Sequence, residues 1–446
     1  MKKVITYGTY DLLHYGHILL LKRAKSLGDY LIVGVTSDSF DRLRGKINVK
    51  QSLMERIEAI RSTGIADEII IEEYEGQKID DIKKFGVDIF AVGSDWKGYF
   101  DYLNEYCEVV YLDRTKGISS SELREKGRKV KLGFVGQNAD RILSKYYKES
   151  VLVNGAEIIG LYNNGDPIPE LENEQINTFN NYEELLNSCN AIYIATDPQQ
   201  HYTDVKKALL YGKHVLCESP IALNVLEYDE LAKLASDKNL VLMDAVKTAF
   251  STAYNRLLVL VKSGRIGDVI SVDANCTSLI DRKNKEWIES SHWNSICSWG
   301  PTALLPVFQI LGTDYTNSNI DTMYFNEANK FDAFTRVTLS YPNAVASIKV
   351  GVGVKSEGEL IISGTEAYVY VPAPWWKTDY FEIRYENQTE NKRYFYQLDG
   401  EGIRDEISSF IKSISSEYNS HVEKSVSRET IKIIENYYNK KVNIIK

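Results

Sequence analysis

The sequence predicts an α/β chain: two successive doubly wound, parallel-sheet domains, then an α+β domain whose sheet is open and mostly antiparallel. Three observations predict it. Short apolar runs alternate with helical stretches twice over, up to about residue 125 and again from Lys131 to about Val246; this is the order of parallel sheets covered on both faces. Beyond that the runs change to polar and apolar alternation, as half-buried antiparallel strands require. The 446 residues are too many for one ordinary core and enough for two or three. The expected domains are 1–128, 129–248 and 249–446.

Taken in order, the first strands fall on KKVITYG, DYLIVGV, DEIIIEE, VDIFAVG and CEVVYL. The charged segment SELREKGRKVKLGFVG then passes through Gly127 into a new strand, which puts a boundary near 126–130. A second series follows in KLGFVG, EIIGLYN, AIYIATD, HVLCESP and LVLMDAV. The third region reads DVISVDANCTSL, FTRVTLSY, AVASIKVGV, GELIISG, AYVYVP and YFEIRYE, closed by helices near 402–415 and 427–438. There is no internal repeat or low-complexity linker.

Composition narrows the function. A net charge of -9 argues against broad nucleic-acid affinity, which needs a basic face. It leaves room for a small anion held by local amides, histidines and lysines. No apolar run of about 18 residues exists to span a membrane, and the N-terminus lacks a signal-peptide pattern, so a cytoplasmic location is expected. The five cysteines are scattered, with no CxxC pair for zinc or redox exchange. An open antiparallel sheet is a common self-association surface, so a homo-oligomer is expected.

The chemistry of the first domain centres on GTYDLLHYGHILLLKRAKSLGDYLIVGV. His14 and His17 stand three residues apart where a strand gives way to a helix. A helix N-terminus carries unsatisfied N–H groups and partial positive charge, so two histidines there can donate to one phosphate. Gly8, Thr9 and Tyr10 supply a tight turn with exposed amides, and Asp11 sits where strand meets helix.

This stretch resembles the HxGH nucleotidyltransferase superfamily, and within it the glycerol-3-phosphate cytidylyltransferase family. RGK at 44–46, ER at 55–56, GSDW at 93–96 and CEVVYLDRTKGISSSELRE at 107–125 follow in family order, so the resemblance covers about the first 125 residues. It implies that His14, His17, Lys46 and Arg114 serve the reaction. It places Gly8, Thr9, Tyr10, Asp11, Gly16, Gly93, Asp95, Arg114, Thr115, Gly117, Ile118 and Ser119 with the nucleotide, and Arg56, Arg61 and Trp96 with the acceptor. CTP and a polyol phosphate would be the substrates, with Mg²⁺ assisting and Asp11 as a metal-side carboxylate or a helix cap. The acceptor phosphate is already an anion, so positioning and charge neutralisation suffice without a general base. The product, CDP-glycerol or a close CDP-polyol, would serve a surface polymer such as teichoic acid or capsule. Two departures from the family pattern, GSDW for GDDW and the longer AIRSTGIADE, leave cytidylyl transfer intact and bear on which acceptor is taken.

The second series opens on KLGFVGQNADRI, where Gly133 and Gly136 are followed by Asn138 and Arg141 in place of further glycines. AIYIATDPQQHYTDVKKALLYGKHVLCESPIALN resembles the glucose-fructose oxidoreductase and inositol dehydrogenase family, and the resemblance extends over 131–446. It makes Gly133, Gly136, Asn138, Asn163, Thr196, His201 and Glu218 the candidates for holding NAD(P). The family's EKP triplet reads Glu218, Ser219, Pro220, and its acid and His or Tyr on a later helix align with Pro306 and Ile310. Neither proline nor isoleucine can move a proton. Three readings stand: a binding, dimerising or scaffolding domain; an NAD(P)-dependent polyol reductase using relocated groups such as Lys247, His201 or His292; or a nicotinamide-gated regulator. The paired Trp375 and Trp376 read as an aromatic-capped interface or a sugar platform.

Overall fold

The computed structural model describes the chain except residues 14, 44–48, 50, 75, 114–128, 138–139, 154, 164–167, 169–170, 172–175, 281–284, 397, 399, 416–421, 440 and 446. The chain divides into two compact units, Met1–Lys129 with Val153–Gly155, and Val130–Leu152 with Ala156–Lys446.

The first unit runs β1 (Lys3–Gly8), α1 (Tyr15–Lys25), β2 (Tyr30–Thr36), α2 (Asp38–Leu43), α3 (Leu53–Ser62), β3 (Glu68–Glu72), α4 (Gln77–Phe85), β4 (Ile89–Gly93) and β5 (Glu108–Leu112). Its five strands are parallel in the order β3-β2-β1-β4-β5. Successive strand side chains point to opposite faces, and both faces are covered: Val4 joins Leu21, Leu31, Ile57 and Ile60 in one core, while Ile5 joins Ile32, Ile82, Phe90 and Phe100 in the other. That is why the strands read as continuous apolar runs. The order reverses between β1 and β4, so the loops leaving their C-terminal ends diverge and open a crevice. Gly34 on β2 admits the Tyr7 ring, where a Cβ would stand 2.2 Å from it.

The second unit begins with a parallel sheet built from β6 (Val130–Gly136), β7 (Ala156–Tyr162), β8 (Ala191–Ala195), β9 (His214–Glu218) and β10 (Leu242–Ala245), in the order β10-β9-β8-β6-β7. Its helices are α5 (Asp140–Ser150), α6 (Tyr182–Ser188), α7 (Pro198–Leu210) and α8 (Val225–Asp237). After α9 (Thr252–Lys262) comes a nine-stranded mixed sheet, ordered β18-β17-β16-β15-β11-β14-β13-β12-β19. Its strands are β11 (Val269–Thr277), β12 (Asn317–Asn326), β13 (Phe331–Ser340), β14 (Val345–Gly351), β15 (Leu360–Gly364), β16 (Ala367–Val371), β17 (Tyr380–Tyr385), β18 (Lys392–Phe395) and β19 (Asn443–Ile444). Only the β11/β14 and β12/β19 pairs are parallel. Four helices complete the unit: α10 (Lys285–Ser290), α11 (Ser295–Leu311), α12 (Ile403–Ser415) and α13 (Lys424–Tyr438). The apolar α11 lies on β11, β13 and β14, and α12 packs against α5.

β12 is a strand that the pattern did not announce. Its sequence NSNIDTMYFN buries only Ile320 and Thr322 fully, so its apolar alternation is weak, and pairing with β13 holds it in place. Among the described residues no helix is long and apolar enough to cross a membrane.

Candidate active site

The crevice of the first unit is framed by the turn after β1, the start of α1 and the short helical turn Ser94–Trp96 after β4. Tyr10 and Leu12 adopt left-handed backbone with φ 54 and 50, an uncommon state for such side chains. That geometry folds the Tyr10 ring back over Gly8, where a Cβ would meet it at 3.0 Å, and turns its edge to the His17 ring at 5.5 Å between centroids. His17, in the first turn of α1, is half-buried, as is Gly16. Gly93 closes β4 with Leu20 of α1 beside it.

Arg56, expected at the acceptor, is fully buried. A capping box between Ser52 and Glu55 starts α3 and sets Arg56 on its inward face. There its guanidinium donates to Thr9 O and Thr36 O, each at 2.8 Å, and pairs with Asp38 and Asp41. Asp41 also accepts from the hydroxyls of Thr9 and Thr36 at 2.8 Å. A buried guanidinium needs such partners. With them it ties the turn after β1 to the start of α2, so Arg56 holds that turn from within the core.

Asp11 is likewise buried and accepts from Gln51 N–H at 3.0 Å, while Gln51 Oε1 accepts from Leu12 N–H at 2.7 Å. Through this bond it anchors the turn. Among the described residues no group of three or more histidines, cysteines or carboxylates could hold a metal. Arg61 is exposed and paired with Glu58. Trp96 is 38% exposed and rests on Tyr99 and Phe100. His14, Lys46, Arg114, Thr115, Gly117, Ile118 and Ser119 lie outside the described residues, as does the Asp95 side chain.

Lys78 is a candidate that the sequence reading missed. It is 7% exposed at the start of α4, pairs with the buried Glu72, and holds its ammonium 4.8 Å from the Tyr7 ring centroid and 5.6 Å from that of Phe100. Tyr7 donates to Asp81 at 2.9 Å and Gln77 donates to it at 3.0 Å. Nothing in EGQKIDDIKKF separates Lys78 from Lys83 and Lys84; only the fold does.

In the second unit Gly133 and Gly136 admit Leu185 and Leu143, which a Cβ would meet at 2.8 and 2.3 Å. These glycines serve helix-on-strand packing. Asn163 is buried just after β7, and Asn138 lies outside the described residues. Thr196 donates to Asp204 at 2.8 Å. His201 is fully buried, with Nδ1 2.8 Å from Pro220 O and Nε2 2.8 Å from Thr196 O, so it staples two strand ends and is no relocated acid or base. Burial holds its pKa below the usual value, although the two carbonyls pull it up. His292 pairs with Asp197 at 2.9 Å and its backbone N–H donates to the same carboxylate at 2.8 Å. The cavity there, lined by Gln137, Asp197, Gln200 and Trp293, measures about 170 Å³. Glu218 accepts from the Tyr193 hydroxyl. Burial pushes its carboxyl up to about 7 against the opposing pull of that hydroxyl and of Lys247. By the resemblance, Ser219 stands where the family has its lysine, and Pro306 and Ile310 stand where it has its proton carriers.

Comparison with known proteins agrees with both halves. The cytidylyltransferase-like family model matches residues 5–126, and that of the oxidoreductase family with NAD-binding Rossmann fold matches 130–245. The first unit is thus that of a nucleotidyltransferase. It is 51% identical over 125 residues to glycerol-3-phosphate cytidylyltransferase of Bacillus spizizenii, spanning 28% of this chain and 96% of that protein. The Staphylococcus aureus enzyme of the same name is 49% identical over 126 residues, 28% of this chain and 95% of that one. Through this unit the chain belongs to the glycerol-3-phosphate cytidylyltransferase family. Over the second unit a 3-ketoreductase from Actinomadura kijaniata superposes with a TM-score of 0.62 at 14% identity, covering 71% of this chain and 99% of that one, which shows a shared fold.

Proposed function

We propose that the first unit transfers CMP from CTP to a polyol phosphate, glycerol phosphate in the first instance, giving the CDP-polyol and pyrophosphate. The observation that carries this reading is the 51% identity along 96% of a glycerol-3-phosphate cytidylyltransferase. His17 stands at the first turn of α1 with the backbone of the Gly8–Tyr10 turn beside it, where anionic oxygens are favoured. His14, Lys46 and Arg114 would add donors as the α-phosphorus becomes five-coordinate and pyrophosphate leaves. Mg²⁺ would arrive on the triphosphate and offset its charge. Arg61 and Trp96, both exposed, are the candidates for the acceptor side. The product would feed a surface polymer of the teichoic acid or capsule kind.

The second unit, in this reading, retains an oxidoreductase frame without hydride transfer. The test is pyrophosphate release by the full chain with CTP and Mg²⁺ against a panel of polyol phosphates and choline phosphate, with and without NADPH. Release with one glycerol phosphate is expected. No release with any acceptor would overturn the proposal.

A further inference from the structure

Three lysines of the second unit converge on one carboxylate. Glu401 accepts from Lys145 Nζ at 2.9 and 3.0 Å through its two oxygens and from Lys247 Nζ at 2.7 Å, and Lys377 Nζ stands 3.8 Å away. The lysines come from α5, from the segment after β10 and from the turn after β16, so the convergence is tertiary. Glu401 is the one carboxylate that all three approach, while Lys247 also lies within electrostatic reach of the buried Glu218 and Glu406. The neighbouring Glu149 is taken by Arg404 at 3.0 Å.

The backbone that presents Glu401 is unusual. Gly400, Glu401 and Gly402 are all left-handed, with φ 58, 55 and 85, and a left-handed glutamate is held only where its surroundings demand it. Glu149 and Lys247 O crowd the two glycines, leaving no room for a Cβ. Beside the cluster runs a groove of about 400 Å³ lined by Pro372, Pro374, Lys377, Thr378, Asp379 and Glu401, a volume that suits a small organic ligand. The lysine side chains are 34%, 23% and 42% exposed, so a solute can reach them.

We propose that this cluster binds the phosphate of a small phosphomonoester entering along the groove, and that Glu401 is an internal stand-in which the ligand displaces. Three ammonium groups suit a dianion with three free oxygens better than a monocarboxylate. Asp379 on the groove wall would face the uncharged part of such a ligand. The site is separate from the crevice of the first unit, and the proposal does not rest on cytidylyl transfer.

The test titrates the full-length protein with inorganic phosphate and with ribose 5-phosphate, read by tryptophan fluorescence, since Trp375 and Trp376 directly precede Lys377. Acetate is the monoanion control. Binding to the first unit is common to all variants and cancels in the comparison. Glu401→Gln removes the competitor and should tighten binding about tenfold, while Lys377→Met should weaken it about tenfold, with acetate inert throughout. If Glu401→Gln loses its fold, Lys377→Met decides, because that side chain lies at the exposed rim. Unchanged affinity in Lys377→Met, or unchanged or weaker affinity in a folded Glu401→Gln, would show the cluster to be a structural staple only.

Discussion

The rings of Tyr146 and Tyr193 stack 3.9 Å apart at 15°, and each donates its hydroxyl to a different carboxylate, Tyr146 to Glu406 and Tyr193 to Glu218. The pair links α5, β8, β9 and α12 through one polar seam in an apolar interior. Asp244 lies at the same end of the sheet and is buried too.

This seam predicts a pH dependence. Burial pushes Glu218 up to about 7, Asp244 up to about 6 and Glu406 well above the usual range. The folded chain then keeps protons that the unfolded chain has released. Stability from these groups is full below the ordinary carboxylate range and falls as pH rises, through about 6 for Asp244 and about 7 for Glu218. Calorimetry should show the second unit melting lower at pH 7 than at pH 5, with a shallower slope in Glu218→Gln. A melting temperature that rises over this interval would refute the assignment.

Glu401 behaves oppositely. Burial raises its pKa, but Lys247 and Lys145 outweigh that and hold it near 2. Its contribution is present above the ordinary carboxylate range and is lost only as pH falls towards 2. Wild type and Glu401→Gln should therefore differ in melting temperature at neutral pH and converge in strong acid; a constant difference would count against the pairing.

His17→Ala should abolish measurable pyrophosphate release, a loss of at least about a hundredfold, with the melting transition of the first unit unchanged. Near-normal turnover would sink the proposed mechanism.

Arg56→Met should act on folding before chemistry. It leaves Asp41 buried without its cation, a change that costs about 3–5 kcal/mol, read as a shift in the urea midpoint. Adding Asp41→Asn should recover part of the loss. A single variant as stable as wild type would show that the Arg56 network is not what fixes the turn.

Ser219→Lys should not restore NADPH oxidation with keto-polyols, because Pro306 and Ile310 still leave no proton carrier on α11. Substrate-dependent oxidation by this variant would show the frame to be one substitution from activity.

Much of this was legible in the sequence for physical reasons. Continuous apolar runs such as YLIVGV can be satisfied only between two helical layers, and the two histidines beside a strand-to-helix turn announce an anion site. What escaped were properties of assembly. Arg56 reads as a free cation until α3 turns it inward onto Asp41. Lys78 is one lysine among several until Glu72 and two rings surround it. β12 gains its order from β13 rather than from its own alternation.

His201 sits with both ring nitrogens against carbonyl oxygens. A neutral imidazole has one hydrogen to share between two acceptors, and burial favours that form while the two carbonyls favour the charged one. When neutral, the ring leaves one carbonyl facing a lone pair, and its nitrogen chemical shifts should report which of Thr196 and Pro220 holds the hydrogen.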